Sequence, residues 1–272
     1  MRGLFFVFGL IFFAGDTLAA SELIVVSFNV ESGKDTEPKE VARFIREEFS
    51  DIDIWGLSEV ENASAAKVFR RAAGWDESGS YKYVLGETGR SDRLQIIYNE
   101  TKLERLDWGE LSGFLLGRKI RAPLWARFRH REDGTEFLFV VNHLYRGNEQ
   151  TEGDRHKQAA LLNAWAKDQS LPIIAAGDYN FDWEVAGGTG DHDKGYDNLT
   201  AGGVFQWVRP SKLVKTQCNP EYDSVLDFVF VGGGARNWQS SSEILFPETW
   251  FCSWDEDGGA DHRPVMARFQ IP

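Results

Sequence analysis

The stretch Leu171 to Asp182, LPIIAAGDYNFD, constrains this chain more than any other. Leu171-Pro172-Ile173-Ile174-Ala175-Ala176 is a short apolar run with β-branched residues, which suits a strand buried on both faces. It gives way abruptly to Gly177-Asp178-Tyr179-Asn180. Glycine permits a tight turn, and Asp and Asn then project polar groups from the end of a rigid element, as a catalytic site requires. An ordinary strand-to-turn transition would use the same residue types. Recurrence separates the two readings, because several other expected strands carry similar residues in or beside them.

Taken in order, Glu22 to Val30 reads as a buried strand with Asn29 near its end. Thr36 to Phe49 places Val41, Phe44, Ile45 and Phe49 at helical spacing, with Pro38 tolerated near the start. Ile52 to Leu57 is a second strand ending in Ser58-Glu59, and a helix follows over Ala63 to Ala72. Tyr81 to Leu85 and Leu94 to Tyr98 are strands joined by the polar turn Thr88 to Asp92. Pro123 to Phe128 and Phe137 to Val141 are two more, the second running into Asn142-His143. A helix is expected over Glu152 to Lys167, with Ala159, Leu162 and Trp165 on its apolar side. Trp183 to Gly203 reads as a loop with little regular structure, and strands at Val225 to Val231, Glu243 to Phe246 and Pro264 to Phe269 close the chain. Hairpin-spaced strands with a few helices point to an α+β domain, two sheets packed between helical layers.

The first 20 residues stand apart. Met1-Arg2 supplies a positive charge, Gly3 to Ala14 is nearly unbroken apolar sequence, and Thr17-Leu18-Ala19-Ala20 offers small residues for cleavage. This matches a secretory signal peptide over 1–20, with the mature domain at 21–272; an uncleaved anchor is the alternative. Export to an oxidising compartment makes Cys218 and Cys252 the two halves of one disulfide. A net charge of −12 argues against a broad basic surface for gripping nucleic acid. It leaves room for an enzyme that binds phosphate through a metal and a few arginines.

Six places now present polar groups: Asn29, Glu59, His143, Asp178 with Asn180, Asp227, and Asp261 with His262. Singly, each has a structural explanation as a cap or a satisfied core group. Together, carboxylates and amides without thiols favour a hard cation, Mg²⁺, Mn²⁺ or Ca²⁺, over zinc. Two histidines would supply acid–base groups or hydrogen bonds to developing negative charge. A cation, a water-activating Asp and imidazoles suit attack of water on a phosphoester.

Ser27-Phe28-Asn29-Val30, Leu57-Ser58-Glu59-Val60, Val141-Asn142-His143-Leu144, Gly177-Asp178-Tyr179-Asn180, Leu226-Asp227-Phe228-Val229 and Asp261-His262-Arg263-Pro264 fall in the order of the endonuclease/exonuclease/phosphatase family. The resemblance spans essentially the whole mature chain. It implies a four-layer α/β/β/α sandwich of two packed mixed sheets flanked by helices, with the site at one edge of the paired sheets. It also implies that Glu59 is the principal metal ligand and that Asn29 lies beside metal and phosphate. Asp178 would orient or deprotonate the attacking water, and Asn180 would hold that water or a phosphoryl oxygen. His262 would contact the scissile phosphate or move a proton, with its ring oriented by Asp227. Asp261 would add a second acidic group to the metal environment, and His143 would assist the leaving group.

Further matches are weaker. Glu31 falls where some members place a metal-site acid, against a solvated loop carboxylate. Arg121 matches an Arg-x-Pro that contacts phosphate in the deoxyribonuclease branch, against a surface arginine. Asp92 could orient His143. Arg155-His156-Lys157-Gln158 resembles a helix of bacterial exported nucleases, and packing with surface charge is the favoured role there. Two departures stand out: Ala260 replaces the usual Ser, and Tyr179 replaces Phe or Leu, its ring expected to pack with the hydroxyl near Trp183 to Gly203.

The expected activity is an exported, metal-dependent phosphoesterase cutting phosphodiester bonds, an endonuclease with DNA as its first substrate and RNA as a second. The alternatives are an exported phosphatase or phosphodiesterase acting on a small phosphorylated molecule or phospholipid headgroup, and a non-catalytic binding module with the same fold. No exposed amphipathic stretch for a stable membrane association is evident. The sequence leaves oligomeric state open.

Overall fold

The computed structural model of the chain describes residues 21–32, 36–75, 80–117, 120–148 and 150–272. The expected signal peptide lies outside them. The elements run β1 (Ser21–Asn29), α1 (Pro38–Glu48), β2 (Ile54–Val60), α2 (Ala63–Ala73), β3 (Tyr81–Leu85), β4 (Arg93–Asn99), β5 (Leu103–Glu110) and β6 (Leu124–His130). There follow β7 (Glu136–His143), α3 (Gly153–Lys167), β8 (Ile173–Glu184), α4 (Lys194–Thr200), β9 (Phe205–Trp207), β10 (Ser224–Gly232), β11 (Gln239–Ile244), α5 (Thr249–Asp255) and β12 (Val265–Ile271).

Two six-stranded mixed sheets form, ordered β11-β12-β1-β2-β4-β3 and β5-β6-β7-β8-β10-β9. The parallel pairs are β1 with β2 and β7 with β8. Strand alternation divides the core. On β1, Leu23 and Val25 join the central cluster that includes Val140, Val141 and Ala176 of the second sheet. Ile24, Val26 and Phe28 point the other way, to Val41, Phe44 and Ile45 of α1 and Phe69 of α2. The sheets approach closely at Gly56, where an added Cβ would stand 2.9 Å from Val141 Cγ2. This is the α+β, four-layer sandwich expected from the sequence.

The differences lie at sheet edges and loops. The LPIIAA strand does not stop at Ala176: β8 continues to Glu184, because Val225 and Ser224 of β10 still pair with Trp183 and Glu184 across an irregularity. The stretch from Trp183 to Gly203 is therefore more regular than expected. It also contains α4, whose N-cap Asp193 accepts from Gly195 N. β5 and β9 were unforeseen. On β5 only Leu103 is buried, and β9 is three residues long, so neither carries an alternating apolar signature. The serine-rich β11 lies at 239–244 rather than 243–246. The Cys218–Cys252 disulfide forms as expected and ties α5 to the segment before β10.

Candidate active site

Register brings the polar residues together. Asn29 ends β1, which runs parallel to β2 with Asn29 opposite Ser58, so Glu59 follows beside it. His143 ends β7 opposite Asp178 of β8, and Asp227 of β10 lies opposite Asp178 on the other side. β12 runs antiparallel to β1 with Val265 opposite Ser27, so Asp261 and His262, just before it, return to the same edge. Gly177 makes this possible. At φ 140° an added Cβ would fall 1.9 Å from Asn142 O, so any side chain would drive β7 and β8 apart.

Asn29 Nδ2 donates to Glu59 Oε1 at 3.0 Å and to Asp178 Oδ2 at 3.3 Å. Asn180 N donates to Asp178 Oδ1 at 2.9 Å. His143 Nε2 lies 3.4 Å from Asp178 Oδ2 and 3.8 Å from Glu59 Oε1, and its Nδ1 lies 3.4 Å from Asp92 Oδ1. Across the cluster, His262 Nδ1 and Asp227 Oδ2 are 2.7 Å apart. Burial alone would lower the His262 pKa, but Asp227, Asp261 and Asp178 outweigh it and raise it well above the usual histidine value. Two imidazoles, each backed by a carboxylate, thus flank Asp178.

The chemistry of the donors fits a hard cation. Ligand atoms of Asp178, Asp227 and His262 lie within 4.8 Å of one another. Yet His262 and Asp227 are already hydrogen-bonded to each other, which makes them a proton-handling pair. A second acidic set is more open: Glu59, 30% exposed, with Glu31 and Asp261. Burial first, then the Asp261, Glu59 and Asp255 charges, push the Glu31 carboxyl up to about 7, against a bond from Thr36. Asp227 Oδ1 and Asp261 Oδ1 are buried with no hydrogen-bond partner among the described residues. Like charges crowded in this way are relieved by a divalent ion bound through oxygen.

Every residue singled out from sequence for the site lies at this edge or braces it; Arg121 and Tyr179 make contacts the sequence did not foresee, and Glu31 takes the acidic place of its two readings. Arg121 is not a surface arginine. Its side chain is 11% exposed, donates from Nε to His143 O at 2.9 Å, and pairs with Asp92. It holds the Asp92–His143 pair in place. Glu31 is not a solvated carboxylate but sits among acids. Tyr179 does pack, against Phe181, Phe228 and Phe230, but its hydroxyl accepts from Asn142 Nδ2 at 3.0 Å rather than turning to Trp183 to Gly203. Ala260 is buried in the core that includes α1. The backbone around Asp261 and His262 is held instead by Cys218 N on Asp261 O, at 2.7 Å, and by a bridge between Gln217 and His262.

Two residues escaped the sequence reading. Arg146, three positions beyond His143, donates from Nη1 to Asn180 Oδ1 at 2.9 Å and stacks 4.8 Å over Tyr222. Its segment is set by α3: Arg155 donates to the Tyr145 and Arg146 carbonyls, and Gln158 Oε1 accepts from Tyr145 N. The motif on that helix therefore packs, as expected, while positioning a site arginine. Thr216, fully buried, accepts from Leu226 N and Asp227 N at 2.9 and 3.3 Å, while its carbonyl accepts from Arg263 N. It braces both halves of the Asp227–His262 pair. Proximity to the histidine motif could have flagged Arg146; nothing in the sequence flags Thr216.

The model of the Endonuclease/Exonuclease/phosphatase family matches residues 26–262. Among solved structures, an endonuclease/exonuclease/phosphatase family protein from Bacteroides thetaiotaomicron is 19% identical at TM-score 0.69, over 93% of this chain and 99% of its own. A mannosyl-6-phosphatase from Bacteroides thetaiotaomicron VPI-5482 is 19% identical at TM-score 0.65, over 91% and 99%. D. rerio TDP2 complexed with single strand DNA product is 17% identical at TM-score 0.70, over 92% and 99%. At these identities the structures show a shared fold. No curated protein matches the chain.

Proposed function

The chain belongs to the Endonuclease/Exonuclease/phosphatase family, whose members hydrolyse phosphoesters, and from that premise we propose that it is an exported, metal-dependent nuclease cutting DNA or RNA. The observation that carries this reading is the pair of carboxylate-backed imidazoles on either side of Asp178. Hydrolysis of a diester or of a sugar monoester expels a poor alkoxide, and one histidine can protonate it while the other meets the phosphoryl oxygens. The choice of a nucleic-acid diester follows the match of His143 and Arg121 to the deoxyribonuclease branch. The likeness to a structure solved with a DNA product supports the same choice.

Glu59, Asn29, Asp261 and Glu31 would hold Mg²⁺ or Mn²⁺, with Ca²⁺ also suited to such oxygen donors. When bound, the ion supplies positive charge against the phosphoryl oxygens. The chain's own groups do the rest. Asp178 takes the proton of the attacking water, and Asn29 and the Asn180 amide fix its carboxylate for that task. Asn180 and Arg146 face the phosphate together, their side chains already joined. His262, kept protonated by Asp227, donates to a phosphoryl oxygen as charge builds there. His143, held by Asp92 and Arg121, gives its proton to the departing oxygen.

Losing a preorganised donor or base costs about 10²–10³ in rate. Asp178→Asn and His262→Ala should each lose at least that much plasmid cleavage while remaining folded. Asp178→Asn should melt near the parent temperature and His262→Ala below it, because Asp227 is left buried without its imidazole partner. Near-normal turnover in either would remove these assignments. The second reading, a phosphatase on a small ester, is favoured by the net charge of −12 and by the likeness to a mannosyl-6-phosphatase. Assaying the purified protein on plasmid DNA, RNA, sphingomyelin, inositol phosphates and a sugar 6-phosphate, with and without EDTA, separates the two. EDTA-sensitive nicking supports the nuclease, and turnover confined to small esters replaces it. Export is tested by N-terminal sequencing of the protein released from cells, expected to begin near Ser21.

A further inference from the structure

α1 and α2 both leave the catalytic edge. Asn62, which caps α2, lies three residues past Glu59, and Thr36, just before α1, bonds Glu31. Eleven residues at 1.5 Å each carry either helix about 16 Å away from that edge. Between them lies a groove of about 360 Å³, lined by Lys39, Arg43, Arg46, Arg71, Val68 and Trp75, with the methyls of Ala42 and Ala72 at its floor. Four cations line it: Arg43 pairs with Glu40 at 2.5 Å and Arg46 with Glu47 at 2.8 Å on α1, while Lys39 and Arg71 make no ion pair among the described residues. At its far end Trp75 is 54% exposed, with the Arg46 guanidinium 5.2 Å from its ring.

This is unusual in a chain carrying a net −12. A last-turn cation such as Arg46 or Arg71 also complements its helix dipole. That role does not require both to face one groove ending in an exposed indole. The other large cleft near the site has the opposite character: about 600 Å³, lined by Asp182, Glu184, Asp191, Asp193, Glu221 and Asp223 among others. A polyanion leaving the catalytic edge is repelled by that cleft and attracted to this groove.

We propose that the α1–α2 groove is an exosite for single-stranded nucleic acid, Lys39, Arg43, Arg46 and Arg71 tracking the phosphates and Trp75 stacking a base. A positively charged channel joined to an exposed aromatic face is the chemistry that binds single strands without reading sequence. A duplex calls for a broader basic face than two helices and four cations provide. The exosite rests on the nuclease reading and adds to it a substrate held beyond the scissile bond.

The test separates the two claims. Binding of a labelled oligodeoxynucleotide to the Asp178→Asn protein is measured by anisotropy across a salt series, alone and with Arg46→Glu/Arg71→Glu or Trp75→Ala added. With three or four phosphates neutralised, affinity should fall about 20- to 50-fold between 50 and 200 mM salt. The charge reversal should weaken binding about tenfold or more and flatten that slope, and Trp75→Ala should weaken it about fivefold or more. In the active background the same substitutions should raise KM for long single strands and leave turnover of bis(p-nitrophenyl) phosphate unchanged. Unaltered oligonucleotide affinity in both variants overturns the exosite even where the protein cuts DNA. Loss of binding to anionic vesicles with oligonucleotide binding intact also overturns it, in favour of a membrane partner. If the active protein cuts no nucleic acid, the nuclease reading falls on its own result.

Discussion

Asn180, Glu59, Glu31 and Asp182 all hold positive φ, between 39° and 58°, although none is glycine. Such strain costs on the order of 1–3 kcal/mol per residue and persists only where the surroundings enforce it. Here it bends the ends of β2 and β8 so that short side chains reach a common point. Gly177 is the companion case, a position that admits no Cβ. Gly177→Ala should cost at least about 3 kcal/mol and lower activity, because relief of the clash must move Asn142 and with it His143. Thermal melting beside a cleavage assay checks both effects. A Gly177→Ala protein with parental stability and rate would show that β7 and β8 can yield there. At this scale the sequence was informative wherever chemistry dictates residue type. Asp178, His262 and Glu59 stand out as carboxylates and imidazole in apolar surroundings. Arg146 and Thr216 do not, since an arginine or threonine becomes functional only through what it touches.

The elements that carry the site are tied down by contacts between segments distant in sequence. The Cys218–Cys252 bridge, 34 residues apart, holds the segment whose backbone grips Asp261 and His262. Reduction should lower stability by roughly 3–4 kcal/mol, read as a shift in urea midpoint with and without reductant. Activity should fall before global unfolding, since Thr216 and Gln217 lie in that segment. On the other flank, Asp193 joins α3 to α4 by accepting from Arg155, His156 and Gly195 N. Burial would raise its pKa, but Arg155 and His156 win and hold it below the ordinary Asp value. The stability this contributes is therefore present above an unfolded-chain pKa of about 4 and is lost as pH falls through the depressed value. Asp193→Ala should remove that acid-side dependence and cost about 3 kcal/mol, because Arg155 would lose the carboxylate it is bonded to and keep only the charge of Asp182 nearby. Denaturant titrations across the acid range measure both quantities. Core strands and long helices were readable from apolar periodicity, and so was the edge strand β3. β5 and β9 were not, and β11 was placed four residues late, because these edges are held by one neighbour's hydrogen bonds rather than by an apolar pattern of their own.

For the molecule as a whole, the decisive quantity is where negative charge gathers. Glu59, Glu31, Asp261, Asp178 and Asp227 converge from strands spread over the chain, and a divalent ion should bind the folded state far better than the unfolded one. Saturating Mg²⁺ should then raise the melting temperature by about 5 °C or more, and Glu59→Gln should abolish most of that shift. An equal shift in the variant would place the ion elsewhere. Sequence by itself determined the two-sheet architecture, the disulfide and the family. Burial periodicity, cysteine parity and the residue types that phosphoester hydrolysis needs are all written locally. Only the tertiary structure decided which groups are partners: that Arg121 braces His143, that Arg146 joins Asn180, and that four cations of α1 and α2 face one groove. Those facts depend on strand register and helix packing, where displacement by a single residue would turn every side chain to the opposite face.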